Sequence, residues 1–104
     1  MNARAHLPNR RAHDVIDFEH GGFRYTAGIG RFADGRIAEV FLAAAKIGTP
    51  LDAAARDAAI VTSLALQYGA PAGTIRHALT RNCDGSASGP VGALLDLLAE
   101  QEGC

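Results

Sequence analysis

Apolar and polar residues alternate through the first half of the chain and recur at helical spacing through the second. Val15, Ile16 and Phe18 form a short apolar run that closes at His20-Gly21-Gly22, where glycines permit the positive φ of a tight turn. Phe23, Tyr25, Ala27 and Ile29 then alternate with Arg24, Thr26, Gly28 and Gly30, the period of a half-buried strand. Asp34-Gly35 separates this run from Ile37 to Ala44, and such a pair between two alternating runs is a strong hairpin signal. The pattern predicts a three-stranded antiparallel meander. Gly28 and Gly30 lie inside the second strand, where glycine marks a bulge or a close approach by another part of the chain.

Helical periodicity begins at Thr49-Pro50, an N-cap and first helical residue, with Asp52 near the positive end of the helix dipole. Ala54, Ala58, Val61, Leu64, Ala65 and Tyr68 share one face, expected to lie on the sheet. Gly69 and Pro71 stop the helix. A short second helix with Ile75, Ala78 and Leu79 inward follows, then a loop from Asn82 to Gly89. A third helix starts at Pro90, with Val91, Leu94, Leu95 and Leu98 as its stripe. Strands first and helices after give an α+β fold, with three helices packed on one sheet face. The other face is expected to hold Phe32, Ala38, Val40 and Leu42. Their apolar character predicts a docking face, covered by a homodimer partner or a larger protein.

With 104 residues the chain forms one domain, expected over 13–104, behind a flexible basic arm at 1–12 whose basic cluster is Arg4, Arg10 and Arg11, with His6 and His13. Much of the apolar content is alanine, so the core falls to larger residues: Phe18, Phe23, Tyr25, Phe32, Phe41, Ile60, Leu64 and the late leucines. A net charge of -1 gives no strong footprint for nucleic acid or membrane. An accessory role on nucleic acid stays open only through the arm together with Arg24, Arg31 and Arg36. No stretch is apolar enough to cross a membrane or to serve as a secretory leader. Two cysteines make no disulfide framework, and the expectation is a reduced, cytoplasmic protein.

Candidate chemistry is sparse. Cys83 and Cys104 form no CxxC, and His6, His13, His20 and His77 are spread over different elements, so no metal site is expected. The segment from Gly28 to Gly35 lacks the spacing of a dinucleotide or phosphate loop. Asp14, Asp17 and Glu19 on the first strand, and Asp96, Glu100 and Glu102 on the last helix, are expected to serve solubility. His77 and Cys83 lie close enough in sequence to be weighed as a Cys/His catalytic pair, but no orienting third group is evident; a thiol-dependent redox role for Cys83 or Cys104 is the alternative reading.

Three stretches, "FRYTAGIGRFADGRIAEVFLAAAKIGT", "DAAARDAAIVTSLALQYGAPAGTIRHALTRN" and "GPVGALLDLL", together resemble the TSCPD domain. That domain is the C-terminal piece of vitamin B12-dependent ribonucleotide reductases and also occurs as small stand-alone proteins. The resemblance spans about residues 18–100. The name-giving Thr-Ser-Cys-Pro-Asp falls on Ala87-Ser88-Gly89-Pro90-Val91: Ser88 and Pro90 match, while Gly89 and Val91 replace the cysteine and the aspartate. This loop is therefore expected to cap and start a helix, with Ser88 as N-cap, rather than to be catalytic. The resemblance implies an accessory or regulatory module of deoxyribonucleotide metabolism. Its partner would be a reductase catalytic chain or another nucleotide enzyme. Cobalamin would belong to the full-length reductase, with no cofactor in this chain.

Overall fold

A computed structural model of the chain describes Arg4 and residues 13–102. Three strands, β1 (His13–His20), β2 (Phe23–Arg31) and β3 (Ile37–Ala44), precede three helices, α1 (Pro50–Gln67), α2 (Ala72–Ala78) and α3 (Pro90–Glu102). The strands form one antiparallel sheet in the order β1-β2-β3, so the fold is the expected α+β arrangement. Gly21 and Gly22, at φ 60° and 84°, make the two-residue turn from β1 to β2; positive φ at both positions matches the twist of the strands they join. The register of β2 on β3 shifts between Gly30 and Arg31, a bulge at one of the glycines singled out in the sequence.

Register decides which residues form the core. Ile29 pairs with Val40, Ala27 with Leu42 and Tyr25 with Ala44. These residues face Ala55, Ala59 and Leu66 of α1 and Val91, Leu94, Leu95 and Leu98 of α3. The stripe foreseen for α3 is thus the one buried. The expected docking face is not there: Ala38, Val40 and Leu42 are buried, the latter two within the core cluster. Phe32 sits in the β2–β3 turn, half-buried, with the Arg36 guanidinium 5.0 Å from its ring centre. Strand alternation puts Glu39 and Phe41 on the face opposite to Val40 and Leu42, where Phe41 is exposed and Glu39 is buried. The outer face is mixed, with exposed Val15 and Phe41 among His13, Asp17, Glu19, Arg24 and Thr26.

The second correction concerns α1. Thr49 caps it as expected, its hydroxyl accepting from the Asp52 N–H at 3.1 Å, and Gly69, at φ 107°, follows its end. Its inward residues, however, are Asp52, Ala55, Ala59, Thr62, Leu66 and Gln67. Val61 is 66% exposed, Leu64 38% and Tyr68 43%. Phe23, Phe41 and Ile60, expected in the core, are also exposed. Small residues on the inward face let α1 lie close against β3.

Candidate functional site

Two surfaces carry organised polar chemistry. The first is the outer edge of β3, which no strand pairs among the described residues. Even-numbered residues of β3 turn their backbone groups toward this edge, and α1 supplies side chains to meet them. The Asp52 carboxylate accepts from the Ala44 N–H at 3.0 Å and the Gly48 N–H at 3.1 Å. Ser63 both accepts from the Val40 N–H and donates to the Val40 carbonyl, each at 2.9 Å. The Gln67 amide donates to the Ala38 carbonyl at 3.1 Å. Asp52, Ser63 and Gln67 lie on one helical face, spaced by three turns and then one. Arg56, one turn beyond Asp52, donates to it at 2.9 Å. These bonds, led by the one from Gly48, hold the Asp52 carboxyl below the ordinary carboxylate range against the opposing effect of burial. Above the capped edge lies a groove of about 340 Å³ between β3 and α1, with Phe41, Ile60 and Leu64 on its apolar wall. The Arg4 guanidinium donates to the Gln67 side-chain oxygen at one end of it.

The second surface is a cleft of about 540 Å³ where the β1–β2 turn, the loop before α3 and α3 itself meet. The loop is closed by its own hydrogen bonds. Asn82 N–H donates to the Ser86 carbonyl at 2.8 Å, Ser86 N–H to the Asp84 carboxylate at 2.9 Å, and Ser88 N–H to the Thr80 carbonyl at 3.0 Å. Ser86 also holds the Asp84 carboxyl below its ordinary range through its hydroxyl and N–H. Behind the cleft, Arg81 grips Asp96 with bonds of 2.6 and 2.8 Å and Arg76 adds a third at 2.7 Å. Arg81 first, then Arg76, hold the Asp96 carboxyl far below the carboxylate range. Asp96 thus ties α2, the loop and α3 together, a role beyond the solubility expected of it.

The loop residues take specific positions. Gly89, not Ser88, is at the N-cap: its carbonyl accepts from Ala93 N–H at 3.1 Å, and Pro90 begins the helix. Ser88 turns its hydroxyl to the Asn82 side-chain oxygen at 2.8 Å. His20 Nε2–H donates to the Ala87 carbonyl at 2.9 Å. Ser88 and His20 therefore line one cleft but do not form a nucleophile–base pair. Cys83 is exposed in the loop, seven positions ahead of Pro90 and away from the helix start, with no hydrogen bond to His77 among the described residues. Cys104, Arg10 and Arg11 lie outside the described residues. Arg24, Arg31 and Arg36 each stand beside a carboxylate, of Glu19, Asp14 and Asp34, which neutralises the basic patch a nucleic-acid role would need.

Among the described residues no group of three or more histidine, cysteine or acidic side chains could hold a metal ion, and no helix is long and apolar enough to cross a membrane. Fold and surfaces together define a small α+β domain that presents an open cleft beside a hydrogen-bonded loop and an apolar-walled groove. Over 68 residues, 65% of the chain, it is 41% identical to a vitamin B12-dependent ribonucleotide reductase of Agrobacterium fabrum (strain C58 / ATCC 33970). The chain spans 5% of that enzyme's length, so the match marks a domain related to one small part of it. No family model and no solved structure matches the chain.

Proposed function

We propose that this domain is of the TSCPD kind and serves as an accessory binding module of ribonucleotide reductase, docking on the catalytic chain. The identity to part of a vitamin B12-dependent reductase carries this reading. Two features support it. The loop that aligns with the family motif is held in place by Asn82, Asp84 and Asp96. It also borders an open cleft lined by His20, Asn82 and Ser88. In this reading cobalamin and the nucleotide chemistry stay with the reductase, and Gly89 replaces the family's cysteine without loss of the docking role. The test titrates the chain into a purified vitamin B12-dependent reductase by calorimetry and follows turnover. Association with a Kd of about 1–10 µM, weakened at least about tenfold by Asn82→Ala, is expected. No binding and unchanged turnover at a chain concentration of about 100 µM would overturn the proposal.

A further inference from the structure

The outward face of α1 is more apolar than its inward face. Val61, Leu64 and Tyr68 are exposed there, while Asp52, Ser63 and Gln67 point to the sheet. A helix that is apolar on the side away from its own core is a helix with a second partner. The sequence pattern identifies that partner's shape. Large residues stand in the C-terminal half of the face, at Val61, Leu64 and Tyr68, and alanines in the N-terminal half, at Ala54 and Ala58.

We propose that this face binds a second copy of the same chain, with the two α1 helices antiparallel about a two-fold axis at Val61. In that arrangement Tyr68 of one copy lies over Ala54 of the other, Leu64 over Ala58, and Val61 meets its own counterpart. Leu64 and Tyr68 then each fall on an alanine, the interdigitation that close packing requires, and the contact is self-complementary as a two-fold interface must be. Asp57, the acidic residue on this face, falls opposite Ala65, so no like charges meet. Ile60 and Phe41 flank the seam. Together with Val61, Leu64 and Tyr68 they are 38–66% exposed, roughly 500 Å² of apolar surface. A stable interface buries about 800 Å² per partner, an apolar centre within a polar rim, and Arg56 stands where the rim would be. The proposal is independent of reductase binding, because it concerns the chain alone.

Light-scattering mass on the purified chain at about 50 µM should give a dimer. Val61→Asp sets two carboxylates against each other at the axis and should raise the dissociation constant at least about 100-fold, with the far-UV circular dichroism unchanged because Val61 is exposed. As a second measurement, Val61→Cys in a Cys83→Ser, Cys104→Ser background should crosslink to itself under mild oxidation. Ala54→Cys in that background should not, its two copies lying about 20 Å apart along the axis. A monomeric wild-type chain, a dimer that survives Val61→Asp, or self-crosslinking at Ala54→Cys in place of Val61→Cys would each overturn the proposal. A monomer that loses reductase binding on Val61→Asp would overturn it too, and would assign the face to the reductase.

Discussion

Asp96→Asn tests how much of the fold depends on one carboxylate. Three bonds of 2.6, 2.7 and 2.8 Å from Arg81 and Arg76 converge on it, and its side chain keeps 26% exposure. A hydrogen bond to a charged group contributes about 1.5–3 kcal/mol when shielded, and an exposed ion pair about 0–1 kcal/mol. The clamp sits between these limits, and asparagine keeps one acceptor oxygen, so the expected loss is about 2 kcal/mol. For a domain of this size that lowers Tm by roughly 8–16 °C. The loss carries a pH signature. The folded pKa of Asp96 lies below the ordinary value of 3.8, so the clamp's stabilisation is complete above that value and is lost as pH falls through the folded pKa. Urea denaturation of both proteins should therefore differ by about 2 kcal/mol at about pH 7 and by about half as much at about pH 3. Other carboxylates titrate in both proteins and cancel in the difference. A gap below about 0.5 kcal/mol at neutral pH, or one undiminished in acid, would refute the reasoning.

Two further substitutions test the sheet. Ser63→Ala strips both hydrogen bonds from the Val40 edge groups. It should cost about 1–2 kcal/mol and speed amide hydrogen exchange at Val40, and an unchanged Val40 exchange rate would show the cap to be dispensable. On the outer face, a Cβ at Gly30 would stand 2.6 Å from Glu39 Oε1 and 2.7 Å from its Cγ, whereas one at Gly28 would meet the ring tip of exposed His13 at 2.9 Å. Gly30→Ala should destabilise by about 1–2 kcal/mol and Gly28→Ala by about 0.5 kcal/mol or less, with denaturant midpoints in that order.

What the sequence determined by itself is the local part of this protein. Turn glycines at Gly21 and Gly22, the alternation of Tyr25, Ala27 and Ile29, the Thr49-Pro50 helix start and the α3 stripe each involve residues a few positions apart. Their geometry follows from backbone sterics and local periodicity, so the α+β order could be read directly. The α1 stripe could not be assigned by the same means. Its sequence has two usable faces, and hydrophobicity alone selects the larger apolar one. The folded chain selects the other, because the unpaired backbone of β3 needs Asp52, Ser63 and Gln67 more than the core needs Val61 and Tyr68. Their common helical face was visible in the sequence, but its purpose was not, since the edge it serves lies 8 to 29 residues away. The same separation hid the Arg76–Asp96–Arg81 clamp and the burial of Val40 and Leu42. Charge pairing and strand facing depend on which elements meet in space, and only tertiary packing, by removing some polar groups from water and leaving others in it, decides that.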